Sequence, residues 1–301
     1  MNQVTYDILA QRIKQLGTLP AMPAILSSLT TALTMPASTI DVEHISETIS
    51  YDKSLTAQVL RLANSALFRQ RGDVDSVRDA VVALGLWRIR DLVFSCTLPM
   101  MFANFSPAIG KEVFWRHALG TAVVSSKLGT SFGFGNQHET YLCGLLHDIG
   151  VLINCILFPE DFTEVIVEAI TDKMPLEISE KRVLGFTHAE TGRILAEKWR
   201  LPVVVSDTIE FHNNPEEQPG HSEITAIVHT ADLFCQKFGL GYGYEISDES
   251  SQSSDDVWAA FCRAFPRARL FPENEYATLI SGYVEEARAI ADHVFTESVS
   301  V

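Results

Sequence analysis

Cysteine is scarce in this 301-residue chain: the five present, at positions 96, 143, 155, 235 and 262, are odd in number, widely spaced and form no C-x-x-C pair. That excludes a disulfide framework or a thiolate cluster and reads as buried, reduced thiols. Positive charge is short as well. Lysine and arginine number 23 against 38 acidic residues, a net charge of −15, and repulsion of that sign argues against a general nucleic-acid or anionic-membrane surface. The longest strongly apolar stretches, residues 92–104 and 150–158, fall below the roughly 20 residues a bilayer-crossing helix needs, so no membrane span is expected. The opening MNQVTYDILAQRIKQLG has no basic start leading into a continuous apolar run. No secretory signal is therefore expected, and the cytoplasm is the expected compartment. No repeat of fixed period occurs, which argues against a solenoid.

What is present is ordinary globular material, 47% hydrophobic and 20% charged, with room for one large or two intimate domains. Apolar spacing is helical nearly throughout, and strand-like alternation is scarce. Leu26, Leu29 and Leu33 follow a Pro23 suited to a first helical turn; Leu55, Val59, Leu62 and Ala66 follow Asp52 as a cap. Ser76 caps a predicted helix carrying Val77, Ala80, Val81 and Leu84, and Gly85 stands where a left-handed stop is wanted before residues 86–101. Pro99 is expected to bend or end that helix. Further helices are predicted over 138–150, 159–171, 175–184, 188–199, 202–212 and 222–238, with Thr187 and Glu190 forming a capping box. The acidic run EISDESSQSSDD, residues 245–256, reads as an exposed loop or linker before helical character resumes over 257–295.

The chemistry lies among the histidines. His117 sits in the apolar stripe Phe114, Thr121, Val124, Leu128, and His147-Asp148 ends the apolar helix of LCGLLHDIG. An adjacent imidazole and carboxylate suit one divalent cation, and a buried Asp148 without such a partner would be costly. Asp232 lies in AIVHTADLF, where Ile227, Ala231 and Phe234 suggest an inward face. Between these anchors, His188 in FTHAETG and His212 in TIEFHNNP would allow a second cation. Taken singly, His117 reads as a hydrogen-bonded core residue and His147-Asp148 as a helix-end polar pair. It is the ordered set H…HD…D that points to metal. His229 shares a helical face with Asp232 and reads as its orienting partner. His44, His138, His221 and His293 read as surface or structural, and Glu190 as a cap.

Over residues 15–240 the order of these motifs resembles the HDOD family, the HD-related output domains of bacterial signalling proteins. The resemblance rests on LGTLPAMPAILSSL, ISYDKSLTAQVLRLANSALF and SVRDAVVALGLWRIRDLV, then on FWRHALGTAVVSSKLG, YLCGLLHDIG, THAETGRILAEKWRLP, IEFHNNP and VHTADL. It implies an all-α fold: an amino-terminal helical lobe over 1–105 packed on an HD-like helical bundle over 106–240, then an acidic loop and helical extension over 241–301. By matching motifs, His117, His147, Asp148 and Asp232 would correspond to the primary HD metal ligands, and His188 and His212 to the extra histidines of binuclear relatives. The implied cofactor is a divalent transition metal, with iron, manganese and zinc all compatible with such ligands. No organic cofactor is expected. Compared with cyclic-di-GMP phosphodiesterases of the related HD-GYP group, Val151 replaces a lysine after HDIG, Asn213 replaces the second histidine of an HH pair, and no GYP loop follows. A phosphate-binding charge and a metal ligand are thereby lost.

The leading expectation is a regulatory output module that contacts signalling proteins and carries an HD-type metal or ligand site, with no assured catalysis. The alternative is a metal-dependent phosphohydrolase acting on a nucleotide or another phosphate ester, in which a cation activates water and polarises phosphate. A third reading is a structural bundle whose polar residues only satisfy one another. The arginines at 61, 69, 71, 78, 88 and 90 read as a solvated helical face, and nucleic acid is not an expected partner.

Overall fold

The computed structural model describes residues 20–32, 41–65, 68–69, 72–103, 109–133, 137–220, 222–242, 254–265, 268–269 and 275–295. Among these every regular element is helical and no strand occurs, as the apolar spacing predicts. The chain divides into two compact units, one of Ala21–Asn104 with Arg288–Val301 and the other of Met1–Pro20 with Phe105–Ala287.

The first unit is built on α1 (Ala24–Ala32), α2 (Val42–Ser50), α3 (Lys53–Ala63), α4 (Val77–Leu84) and α5 (Leu86–Met101). Its caps are those the sequence predicts. Asp52 accepts from the backbone N–H groups of Ser54 and Leu55, and Ser76 from that of Asp79. Gly85 turns the chain at φ +82° between α4 and α5, a conformation that costs a side-chain-bearing residue dearly. Leu26, Leu29, Leu55, Val59, Leu62, Val77, Ala80, Val81 and Leu84 are all buried, while Leu33 and Ala66 lie outside the described residues. Pro99 falls within the last turn of α5. Asn64 brackets Val74, donating to its carbonyl at 2.9 Å and accepting from its N–H at 2.8 Å, and so ties the end of α3 to the strand-free stretch before α4. The predicted arginine face needs correcting at Arg90, which is buried because its guanidinium bonds the adjacent Asp91 carboxylate at 3.0 Å. Arg69 pairs with Asp73 and Arg78 with Glu43, so charge there is largely spent internally.

The second unit holds α6 (Lys111–Phe132), α7 (Gln137–Leu146), α8 (Ile149–Leu157), α9 (Pro159–Asp172), α10 (Leu176–Val183), α11 (His188–Lys198), α12 (Val203–Phe211), α13 (Glu223–Cys235), α14 (Ser254–Ala264) and most of α15 (Tyr276–Phe295). Helix α6 packs on α7 and α13, α8 on α11, and α12 on α7 and α11. Missing side chains permit the closest of these approaches. A Cβ on Gly144 would lie 2.8 Å from the Ala122 backbone, and one on Gly150 would lie 1.8 Å from the His188 carbonyl oxygen. The predicted helix over 138–150 is broken by a turn at His147-Asp148, which separates α7 from α8. The span His138–Leu157 is long and apolar enough by composition to cross a membrane, with mean hydropathy 1.6, but it is 89% buried within the fold and forms its core. The five cysteines are all buried, and none is in a disulfide. Of the acidic run, residues 245–253 lie outside the described residues.

Candidate metal centre

Each of the six singled-out residues sits where a helix can aim it inward. His117 is on the second turn of α6, with the stripe residues Phe114, Thr121, Val124 and Leu128 buried around it. His147 and Asp148 form the turn between α7 and α8. Asp148 stands at the N-cap of α8 yet makes no capping bond, because its carboxylate is turned towards the histidines. The capping box of Thr187 and Glu190 starts α11 and fixes His188 as its first residue. His212 ends α12, and Asp232 projects from α13. All six are buried.

Their side chains converge. His117 Nε2 lies 3.1 Å from Asp232 Oδ1, 3.3 Å from His147 Nε2 and 3.6 Å from Asp148 Oδ2. His147 Nε2 lies 3.3 Å from Asp148 Oδ2 and 3.8 Å from Asp232 Oδ1. The other oxygen of Asp148, Oδ1, faces His212 Nε2 at 3.1 Å and His188 Nε2 at 3.5 Å. Two donor groups thus share one carboxylate, and each could hold a metal ion.

The separations test whether a cation fits. Most exceed a good N–H···O hydrogen bond, about 2.7–3.2 Å. A tetrahedral cation with bonds of about 2.1 Å needs ligand atoms about 3.4 Å apart, and the five around His117 and His147 span 3.1–3.8 Å. The imidazoles are also oriented for it. His117 Nδ1–H donates to the Leu240 carbonyl at 2.9 Å, His147 Nδ1–H to Gly144 at 2.8 Å and His212 Nδ1–H to Ile209 at 2.9 Å, so each Nε2 lone pair points inward.

Glu180 does the same for His188. This buried carboxylate accepts from His188 Nδ1–H at 2.6 Å, from the His188 backbone N–H at 2.8 Å and from the Asn154 amide at 3.0 Å. Sequence reasoning missed Glu180, because LEISEKRV reads as a polar surface helix. The expected partner of Asp232 also differs: His229 Nδ1–H donates to the His212 carbonyl at 2.7 Å, so it steadies the backbone of α12 instead. Asp232 Oδ1 is met by the Gln236 amide at 2.9 Å, and Asp148 Oδ2 by the Tyr242 hydroxyl at 2.8 Å. The Asn213 amide stands 3.0 Å from His188 Nε2. His44 is exposed, His138 is half-buried, and His221 and the side chain of His293 lie outside the described residues.

Electrostatics follow from burial and pairing. Burial alone would push the His117, His147 and His188 imidazoles down. The Asp148 and Asp232 carboxylates overrule it for His117 and His147, raising them to about 10 and about 9, and Glu180 does so for His188, raising it to about 9. Asp148 and Asp232 are held well below the usual carboxylate range by the histidines, against the opposing pull of burial. Beside the cluster lies a cavity of about 290 Å³, walled by Asp148, His188 and Asp232 together with Asn213, His229 and Tyr242. No lysine or arginine lines it among the described residues.

This arrangement defines an all-helical protein with a buried histidine–aspartate centre. The chain matches the HDOD domain over residues 19–215 and belongs to that family. It is similar to the crystal structure of an HDOD domain protein of unknown function from Geobacter sulfurreducens, with 27% identity, a TM-score of 0.84, and 97% of this chain and 99% of that one covered. It also resembles a Shewanella amazonensis SB2B protein described only provisionally as a phosphohydrolase, at 24% identity and TM-score 0.73, covering 95% of this chain and 98% of that one. That likeness speaks for the fold alone. An uncharacterized protein of Treponema pallidum (strain Nichols) is 26% identical over 218 residues, 71% of this chain, and the chain spans only 41% of that relative's length.

Proposed function

We propose that the chain is a signal-transduction output module whose conformation is set by a divalent transition metal, iron, manganese or zinc, held at the cluster around Asp148. The observation that carries this reading is the donor set itself: two imidazole nitrogens and two carboxylate oxygens from two helices and one turn, with five of their mutual separations at 3.1–3.8 Å, as co-ligands of one cation require. Val151 is buried and apolar, and the adjoining cavity offers a phosphate no fixed cation. The reading places the module in the cytoplasm, with signalling proteins as partners and neither nucleic acid nor membrane among them. Elemental analysis of purified protein tests it. Near-stoichiometric iron, manganese or zinc is expected; Asp148→Ala should abolish it, and His147→Ala should remove binding at the His117–His147 group. Protein that takes up none of these metals when each is supplied would overturn the reading.

A second reading, a metal-dependent phosphohydrolase for a nucleotide or other phosphate ester, has one observation in its favour. Asp148 Oδ1, His188 and His212 supply only three donors, and Asp148 and His188 border the cavity. A cation bound there would supply Lewis acidity. Glu180 would hold the His188 ring in place, and Asn213 and Tyr242 would face the incoming ester. Turnover of a phosphate-ester panel by metal-replete protein is its test.

A further inference from the structure

The partners of the candidate ligands fall into two kinds. Leu240, Gly144, Ile209 and Glu180 bond the ring nitrogen that faces away from the cluster, and such contacts support metal binding. The Asn213 amide, 3.0 Å from His188 Nε2, does the opposite, and so do Gln236 and Tyr242. The latter two donate to Asp232 Oδ1 and Asp148 Oδ2, the same oxygens that face His117 and His147. Both come from one short stretch following α13. There a π-turn, Gln236–Leu240, ends in a kink with Gly239 at φ +79°, which carries the chain back over the cluster. The stretch is seated by design of the sequence. A Cβ on Gly120 would meet Leu240 Cδ1 at 2.9 Å, so glycine lets Leu240 settle on α6 and offer its carbonyl to His117. The Tyr242 ring lies parallel to Phe114, with centroids 6.0 Å apart, and tilts against the His117 ring at 4.5 Å. Tyr242 also lines the 290 Å³ cavity, together with Asp148.

We propose that residues 236–242 form an autoinhibitory strap, in which the Gln236 amide and the Tyr242 hydroxyl hold the carboxylate oxygens that a cation must use. The proposal rests on the cation reading above and adds its regulation. A hydrogen bond to a charged oxygen is among the stronger ones, and it lowers the donor strength of that oxygen. Loading the centre therefore works against the strap. Tyr242 gives way first, because Leu240 stays anchored on His117 while Gly241, the one residue between them, permits the swing. Its departure widens the cavity beside Asp148 and frees Oδ2 for the cation.

The test is a titration of Mn²⁺ alone into metal-stripped protein, followed by calorimetry, with circular dichroism confirming the fold. Tyr242→Phe keeps the ring and its stacking but removes the hydroxyl. About tenfold tighter Mn²⁺ binding is expected, and binding by the variant alone would support the strap equally. Equal or weaker binding by the variant overturns the strap and leaves the cation reading standing. Absence of binding in both proteins brings down both. If Tyr242→Phe does not fold, Gln236→Met must tighten binding in its place, and a failure to do so overturns the proposal. In the wild type, hydrogen exchange of the peptide spanning 236–242 should quicken when Mn²⁺ is added; unchanged or slower exchange counts against the strap.

Discussion

At the scale of single residues, Asp148 and Asp232 are chemically alike but placed to do different work. Asp148 presents one oxygen to His117 and His147 and the other to His188 and His212, whereas Asp232 meets only the first pair. Asp148→Ala should therefore lose all bound metal, while Asp232→Ala should weaken only the His117–His147 group and keep binding at His188–His212. Calorimetric stoichiometry with elemental analysis distinguishes the two. Removing Asp148 also strands buried imidazolium charge, so the metal-stripped variant should lose about 3–5 kcal/mol of stability. Much of this centre was legible in the sequence, since histidine and aspartate inside apolar helical stripes have few other reasons to be there. Glu180, Asn154, Gln236 and Tyr242 were not. Each is an ordinary residue in a polar or loop-like context, and its part depends on tertiary contacts between stretches as much as 94 residues apart in sequence.

At the scale of elements, the centre depends on how closely helices approach. Helix α8 crosses α11 where Gly150 meets the His188 carbonyl and the Gly192 amide, and a Cβ on Gly150 would lie 1.8 Å from that oxygen and 2.8 Å from that nitrogen. No rotamer relieves a clash with backbone. Gly150→Ala should thus force α8 and α11 apart, at a cost of about 3 kcal/mol or more. For a unit of this size that corresponds to a fall in Tm of roughly 6–12 °C. Because His188 opens α11 and Asp148 precedes α8, binding at His188–His212 should suffer more than binding at His117–His147. Thermal melts and metal stoichiometry of the same variant check both. The helices themselves were readable from apolar spacing and caps, with Thr187–Glu190, Asp52 and Ser76 all found in place. The end of a helix at His147-Asp148 was readable too, but α8 was not: the chain re-enters a helix at Ile149, directly after the turn that aims Asp148 at the cluster.

At the scale of the whole molecule, the centre links folding to pH and metal supply in opposite directions. His117, His147 and His188 are raised to about 10, 9 and 9 in the fold, from an unfolded value near 6.5. Between these limits the cation-free fold binds more protons than the unfolded chain. The stability this confers is complete below about pH 6.5 and is lost as pH rises through 9 to 10. Asp148 and Asp232, both lowered, act at the other end: their contribution is present above about pH 4 and is lost on acidification. A cation needs the same Nε2 lone pairs that the protons occupy, so its binding releases protons and tightens as pH rises. Metal-stripped protein should accordingly lose Tm from pH 6.5 to pH 9, while protein saturated with Mn²⁺ keeps it, and the gap between them should widen steadily. General repulsion from the net charge of −15 grows with pH in both samples and cancels in that difference. Paired thermal melts across this range make the measurement, and calorimetry in two buffers of unlike ionisation enthalpy counts the protons released. A gap independent of pH would mean that the imidazoles are already neutral before the cation arrives, and that the carboxylates do not hold their charge as the geometry requires.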